Sequence, residues 1–201
     1  MIIKNKYATF VGYGFLGLGS MVVQKWTAPD ADAAAVVLAA TDLTDAAQTI
    51  TADITNPDFP RGLSIKGNAS GNAGDVVITG KNIRGKTITE TIALNGSSEV
   101  QGSKAFAVVT SILLPAETHA GTDTVSVGIN DKLGLQAIPA VTACVAAYAD
   151  NTLEGTLPTV TTHATNIESC TCDFNTACNA SGNMLAIFPT RERVILKGQT
   201  S

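Results

Sequence analysis

The sequence predicts an all-β protein, specifically an antiparallel β-sandwich or jelly roll with an extended N-terminal arm. Between residues 48 and 135, short runs that alternate Thr with aliphatic residues are separated by Gly/Asn turns. Such alternation gives a strand one buried and one solvated face, and Gly and Asn supply the positive φ that hairpin turns require. The strands recur every 8–15 residues or so, without the longer helical segments of βαβ units.

The predicted strands of this region are QTITADI, RGLSIKGN, DVVITG, KTITETIAL, AFAVVTSILL and DTVSVGI. Alternation assigns their buried faces. KTITETIAL places Ile88, Ile92 and Leu94 on one side, and AFAVVTSILL places Phe106, Val108, Ile112 and Leu114 on one side. DTVSVGI contributes Val125, Val127 and Ile129 to the same core.

The first 47 residues differ in texture from this region. Residues 1–27 are rich in Gly and aromatic residues and predict an arm, whereas residues 28–48 are rich in Ala and Asp. Pro29 and Asp30 favour a helix start there, although a loop followed by the strand AVVLAAT is the alternative. We therefore predict an arm and connector over 1–47 and a β-sandwich domain over 48–201, with a possible subdivision near 139.

Beyond Pro139 the strand signals are weaker. VTACVAAYAD is a small-residue apolar strand or short helix, and TLPTVTTHATNIES is strand-like. CTCDFNTACNASGNMLAIFPT predicts a hairpin with its turn at Asn179–Asn183, followed by a last apolar strand.

Charge patterning argues against a nucleic-acid ligand. The formal net charge is −4, and no Lys or Arg occurs between Lys132 and Arg191. Nucleic-acid binders hold the phosphate backbone with clustered cations. The remaining basic group at Lys81, Arg84 and Lys86 falls in a predicted hairpin turn. Charged residues make up only 15% of the chain, which favours a surface that meets other subunits.

The uncharged stretch from residue 7 to 24 follows Lys4 and Lys6, as an export signal or short membrane span would. Its four glycines (Gly12, Gly14, Gly17 and Gly19) make it a poor helix, so we predict an arm that packs on a neighbouring subunit, and no membrane partner. Residues 12–17 also match G-x-G-x-x-G, but no further βαβ units follow, so no dinucleotide or other cofactor is expected.

The residue types that carry chemistry are few and scattered. Cys144, Cys170, Cys172 and Cys178 lack the C-x₂₋₄-C spacing of structural zinc, so buried thiols are favoured and no metal is expected. A Cys170–Cys178 or Cys172–Cys178 disulfide stays open. His119 and His163 lie in loop-like sequence with no nucleophile elbow nearby. The sequence therefore predicts no catalytic residues, no small-molecule substrate and no enzyme activity.

Several turn-and-strand motifs of this sequence resemble those of a known class of proteins. They are NPDFPR, GDVVITG, ITETIALNG, GSKAFAVVTSILLPA and NDKLGL, with a looser likeness in DFNTACNASGNMLAIF. Together these resemble virion structural proteins of tailed bacteriophages over residues 48–135, and over 170–188 in part. The resemblance implies a non-enzymatic virion protein on the capsid surface, of the decoration or cement type, made in the host cytoplasm. Its implied partners are the major capsid protein and copies of itself.

The interaction residues predicted on this basis are the aromatic side chains of the arm, namely Tyr7, Phe10, Tyr13, Phe15 and Trp26. Added strands bind through backbone hydrogen bonds, so an uncharged Gly/aromatic arm suits docking on a neighbour. A core role for the same residues within their own subunit is the alternative. The rival functions are a tail or head-fibre component of the virion and a secreted bacterial surface or adhesin module.

Overall fold

The structure, a computed structural model, describes residues 8–9, 20–118 and 122–191. These residues form β-strands and one 3₁₀ helix, with no α-helix among them, and every pairing between their strands is antiparallel. The elements in chain order are β1 (Ala8–Thr9), β2 (Ser20–Trp26), β3 (Ala33–Asp42), β4 (Gln48–Ile50), β5 (Arg61–Gly67), β6 (Asp75–Lys81), β7 (Thr87–Ala93), β8 (Val100–Phe106), β9 (Val108–Leu114), β10 (Thr124–Gly134), β11 (Ala146–Ala149), β12 (Thr152–Leu153), β13 (Thr159–Thr161), the 3₁₀ helix (Ile167–Ser169), β14 (Thr171–Asp173) and β15 (Met184–Thr190). The predicted all-β class is confirmed.

The strands form three sheets. Sheet A has the order β1-β2-β15-β11-β12, and sheet C has the order β4-β9-β6-β7. Sheet B lies between them in the packing, with the order β13-β14-β10-β5-β8, and β3 also pairs with β10. The long strand β10 therefore holds sheet B together, because β3, β5 and β14 all pair with it.

Two hydrophobic cores lie on either side of a point within β10. The first core packs sheet C against β3, β5 and the first part of β10, which is the predicted sandwich. The second core packs sheet A against β13, β14 and the last part of β10. Ile129 belongs to the first core and Leu133 to the second, so one strand contributes to both.

The helix favoured at residues 28–48 is wrong, and the strand alternative is correct. β3 runs through the Ala-rich segment, and Leu38 pairs with Val127 of β10. Val37 and Leu38 are buried in the first core. Helix propensity amounts to tenths of a kcal/mol per residue, so pairing and burial on an existing sheet outweigh it.

β9 departs from the predicted alternation. Val109, Ile112 and Leu114 are buried, whereas Val108 is only partly buried. The register against β6 shifts between Thr79 and Gly80, where the partner changes from Ser111 to Val109. This bulge adds one residue to β9 and moves the following side chains to the other face, which simple period-2 counting cannot anticipate.

The hairpin predicted near the C-terminus is also wrong. β14 pairs with β10 and β13 in sheet B, whereas β15 pairs with β2 and β11 in sheet A. The chain between them turns at Asn179, whose Oδ1 accepts hydrogen bonds from the backbone N–H groups of Ser181 and Gly182. The two strands thus lie on opposite sides of the second core instead of forming a ladder with each other.

Two glycines lie at positions where any other residue would be strained. Gly85 has φ 77° in the turn between β6 and β7, the hairpin that the sequence predicts. Gly128 lies where β3 crosses close to β10, and a Cβ there would clash with the carbonyl oxygen of Ala33.

The predicted domain limits stay predictions, although residues 20–42 of the predicted arm and connector supply β2 and β3 to the sheets.

Candidate interaction surface

The side chains of sheet A alternate between its two faces. In β2, β15 and β11, alternate side chains point into the second core and are almost entirely buried. Directly paired residues on antiparallel strands share a face, and the register pairs Ala186 with Gln24 and Met184 with Trp26. The inward side chains are Val22, Gln24, Trp26, Ala147, Ala149, Met184, Ala186 and Phe188.

The other face of sheet A is apolar although it does not face the second core. We call it the apolar face; its members are Met21, Val23, Lys25, Ala146, Tyr148, Leu153, Leu185 and Ile187. The register aligns Val23 with Ile187 and Ala146 in one row. The next row contains Lys25, Leu185, Tyr148 and Leu153. Leu153 is 58% exposed, and the other apolar members are partly exposed.

The apolar face carries a single charged side chain, that of the exposed Lys25. A solvated sheet face normally alternates with polar residues, as β7 does with its exposed Thr87, Thr89 and Thr91. Four strands spaced about 4.8 Å apart and up to seven residues long give a sheet area on the order of 400 Å², which is an upper bound on the exposed apolar area because most members of the face are partly buried. The largest apolar patch on a typical monomer is of this size and is often functional, so the face is a candidate interaction surface.

The five predicted interaction residues are placed only in part. Trp26 is fully buried and points into the second core, where its ring meets Phe174 edge-on at a centroid distance of 5.7 Å. For Trp26 the core alternative is therefore the one the structure supports, and its side chain is not free to contact a partner. Tyr7, Phe10, Tyr13 and Phe15 lie outside the described residues.

A buried arginine, Arg61, forms a charged cluster between the two cores. Arg61 is fully buried and forms ion pairs with Asp58 at 3.1 Å and Asp131 at 3.3 Å. Its guanidinium also donates hydrogen bonds to the carbonyl oxygens of Asn130 and Asp30. Because β5 pairs Arg61 with Leu133 of the second core and Phe106 of the first, the cluster joins the two cores. All these contacts bind one part of the chain to another, which is a structural role.

The histidines do not assemble a reaction centre in the part of the chain that the structure describes. His163 is exposed, and its Nδ1 accepts hydrogen bonds from the backbone N–H groups of Thr165 and Asn166. His119 lies outside the described residues. Among residues 8–9, 20–118 and 122–191, no group of three or more His, Cys, Asp or Glu side chains is placed to hold a metal ion.

The four cysteines are free and buried in the second core. Cys170 accepts a hydrogen bond from the backbone N–H of His163, and burial raises the pKa of its thiol. Burial raises the pKa of Cys178 to about 12. The interaction between the two thiols lowers the pKa of Cys144 and raises that of Cys172, which is also raised by burial.

A shallow groove of about 490 Å³ lies beside the β11–β12 hairpin. Glu154 on its wall accepts hydrogen bonds from the backbone N–H groups of Asn175 and Thr176. The carboxylate therefore links the hairpin to the loop that follows β14, and no Lys, Arg or His is among the residues that line the groove.

No protein-family model, curated protein or solved structure matches this chain. No helix among the described residues is long and apolar enough to cross a membrane. The surface and its geometry are thus the basis for any functional conclusion.

Sequence reasoning missed the apolar face although the signal was present. In MLAIFPT the residues of both parities are mostly apolar, and SMVVQKW has Met21 and Val23 on one parity and Val22 and Trp26 on the other, which is the pattern of a strand covered on both faces. β2 falls in the segment that the sequence predicts as an arm, and no local pattern indicates that it pairs with the apolar strand near the C-terminus.

Proposed function

We propose that this chain is a non-enzymatic structural protein of a tailed-bacteriophage virion, which binds the outside of the capsid as an oligomer and stabilises the shell. The single observation that carries the proposal is the apolar face of sheet A. The likeness of residues 48–135 to virion structural proteins supplies the setting. Both point to a protein that acts through contact area.

The physical basis is mass action on the assembled shell. A protein that binds the closed arrangement of capsid subunits, and not the separated ones, lowers the free energy of the closed state. The shell then opens only at a higher temperature or internal pressure. Copies of the chain spread this effect over many capsomers.

Within the oligomer, the apolar face packs on a second copy of this chain. The chain carries a net charge of −4, yet this face has no acidic side chain, so two copies meet there without repulsion between carboxylates. Two such faces can stack as the sheets of a sandwich do, with interdigitated side chains about 10 Å between sheets.

The size of the face sets the strength of this contact. A standard stable interface buries roughly 800 Å² per partner, whereas the face offers about half of that area. A single contact is therefore weak, and stable decoration depends on several contacts per copy acting together. The predicted arm would add such a contact.

The test compares Ile187→Lys on the apolar face with Thr91→Lys on the exposed face of β7. Both substitutions add one positive charge to a sheet face. We expect wild type and Thr91→Lys to self-associate in analytical ultracentrifugation, to co-sediment with capsids that lack the chain, and to raise the temperature at which those capsids open. Ile187→Lys should weaken self-association at least tenfold and reduce capsid occupancy in parallel.

Three results would contradict the proposal. Self-association and decoration by Ile187→Lys at the wild-type level would remove the apolar face from the mechanism. A labelled chain located by electron microscopy on tails or fibres would replace the capsid by the tail alternative. Turnover of a substrate by the purified chain would end the non-enzymatic interpretation.

A further inference from the structure

The two ends of sheet C carry charges of opposite sign. Its strand β6 begins at the exposed Asp75 and ends at the exposed Lys81. Seven residues of β-strand span about 20 Å, so these two side chains are far apart. Because β6 lies between β7 and β9, its direction also fixes which ends of the neighbouring strands lie near each charge.

The positive end is the turn between β6 and β7, which we call the basic tip. Its members are Lys81, Arg84 and Lys86, and all three side chains are exposed. No Asp or Glu occurs in the sequence between Asp75 and Glu90. Lys81 and Lys86 form no ion pair with any other described residue. The basic tip therefore presents a cationic surface in a chain whose formal net charge is −4.

The basic tip is held in one conformation by the buried Asn82. Its Oδ1 accepts hydrogen bonds from the backbone N–H groups of Arg84 at 2.9 Å and Lys86 at 3.1 Å. Its Nδ2 donates to Glu168 of the 3₁₀ helix at 3.0 Å. A turn that is already ordered loses little conformational entropy when it binds a partner, so more of the interaction energy appears as affinity.

The negative end of sheet C we call the acidic end. Its members are Asp42, Asp45, Asp75 and Glu117. The three aspartates are exposed and Glu117 is partly exposed. Two contacts bring these residues together. The Glu117 N–H donates to the carbonyl of Thr44 at 2.7 Å, and a Cβ on Gly74 would lie 2.7 Å from the Cβ of Pro115. The loop before β4, the segment after β9 and the start of β6 thus meet at one end of the sheet.

Within one copy, the basic tip and the acidic end cannot meet. β9 runs between them, because Val108 pairs with Lys81 at one end and Leu114 pairs with Gln48, the first residue of β4, at the other. The seven residues of β9 hold the two ends about 20 Å apart. Their opposite charges are therefore available for contacts between copies.

We propose that copies of this chain associate head to tail, with the basic tip of one copy bound to the acidic end of the next. The two surfaces differ, so the contact is heterologous, and each copy can bind two neighbours in a ring or an open chain. This contact does not use the apolar face and goes beyond it. It would supply one of the additional contacts that stable decoration requires.

A nucleic acid is the other polyanion that a basic turn could bind. Strong binding to duplex DNA uses roughly six to ten phosphate contacts, whereas the basic tip offers three cations. The net charge of −4 also opposes the approach of a polyanion. The acidic end of a second copy is a compact partner of matching charge, so the observations favour it.

The test reverses each charged surface on the full chain and then mixes the two variants. The tip variant is Lys81→Glu/Arg84→Glu/Lys86→Glu, and the acidic-end variant is Asp42→Lys/Asp45→Lys/Asp75→Lys. Sedimentation velocity at about 50 mM salt, where exposed charges are weakly screened, measures the association of each protein. We expect each variant alone to associate about tenfold more weakly than wild type or worse, because like charges then face each other. An equimolar mixture should recover the wild-type affinity, since every contact between unlike variants again pairs opposite charges.

The control is Arg191→Glu, which reverses one exposed cation outside both surfaces and should associate as wild type does. Circular dichroism checks that each variant folds. If a triple variant unfolds, Lys86→Gln and Asp45→Asn replace them; each should weaken the association, and the combined variant should be no weaker than either one.

Several outcomes would overturn the proposal. One is a mixture that stays as weak as its separate components, and another is a wild type that does not associate at about 50 mM salt. Duplex DNA that binds wild type but not the tip variant would assign the basic tip to nucleic acid instead. Ile187→Lys, which tests the apolar face, should keep the salt-sensitive association, so failure here is distinguishable from failure of the proposed function.

Discussion

The two cores of this protein are built from different side chains. The first core, between sheets B and C, contains Val, Ile and Leu with the single aromatic Phe106. The second core, between sheets A and B, contains six branched aliphatic residues together with all four cysteines, four alanines, Met184 and three aromatic rings. Both are covered by antiparallel strands, so the difference lies in composition and in how far apart in sequence their parts are.

This difference has a physical consequence. β-Branched side chains on long strands fill space in few rotamers and set the register strongly, because a slip by one residue would expose the whole row. Alanine and cysteine fill less space and leave large aromatic rings to occupy the remainder, as Trp26 and Phe174 do. The second core therefore depends on a few large side chains and on polar contacts at its margins.

The largest expected effect is at the junction of the two cores. Arg61→Met keeps much of the side-chain volume but leaves Asp58, Asp131 and two backbone carbonyls without their donor. We expect a loss of about 3–5 kcal/mol in the free energy of unfolding, because a buried network loses its only cation. Urea denaturation measures it. Lys66→Met on the same strand is the control, since Lys66 is exposed, and it should change stability by less than about 0.5 kcal/mol. Equal effects for the two variants would remove Arg61 from the joint between the cores.

Truncation should distinguish the cores themselves. Ile112→Ala in the first core removes a fully buried branched side chain and should cost about 2–5 kcal/mol. Cys178→Ala in the second core removes one buried sulfur and should cost about 1 kcal/mol. Chemical denaturation of both proteins under reducing conditions gives the comparison. If Cys178→Ala were the more damaging change, the second core would be the more tightly packed one.

A smaller, pH-dependent effect on stability is expected where the β6–β7 turn of sheet C contacts the 3₁₀ helix. Asn82, in the β6–β7 turn, donates a 3.0 Å hydrogen bond to Glu168 of the 3₁₀ helix. Burial raises the pKa of Glu168, but its backbone hydrogen bond, Asn82, Lys86 and Lys104 together outweigh burial and hold the pKa below its ordinary value.

A lowered folded-state pKa stabilises the protein above the unfolded-state pKa, and the contribution is lost as the pH falls through the folded-state value. Glu168→Gln should therefore cost a few tenths to about 1 kcal/mol at pH 7, and its difference from wild type should shrink below about pH 4. Denaturation midpoints measured from pH 7 to pH 3 give the curve. A constant difference between Glu168→Gln and wild type across this range would contradict the assignment.

The smallest expected effect is a difference between the urea midpoints of two spectroscopic signals, which tests whether the two cores unfold separately. Trp26 is the chain's single tryptophan and reports on the second core, whereas far-UV circular dichroism reports on all the sheets. Since β10 passes through both cores, we expect the two signals to change at the same urea concentration. Arg61→Met is the variant in which the two transitions would separate if the junction alone couples the cores. Separate transitions in wild type would show that β10 does not transmit cooperativity.

By itself, the sequence determined the all-β class and the part of the first core that β5, β6, β7 and β10 supply. Period-2 alternation in KTITETIAL and DTVSVGI placed Ile88, Ile92, Val125 and Val127 on buried faces, because a strand's side-chain period is local and independent of its partner. The bulge in β9, the strand state of residues 33–42 and the separation of β14 from β15 were decided by pairing with distant strands. Those pairings join segments whose own propensities are weak or favour another state.

Tertiary structure alone decided the second core and the apolar face. β2, β11 and β15 come from opposite ends of the chain, and their partnership depends on which edges are free after the central sheet has formed. A sequence fixes which face of a strand is apolar, but only the assembled sheets decide which of those faces remains open.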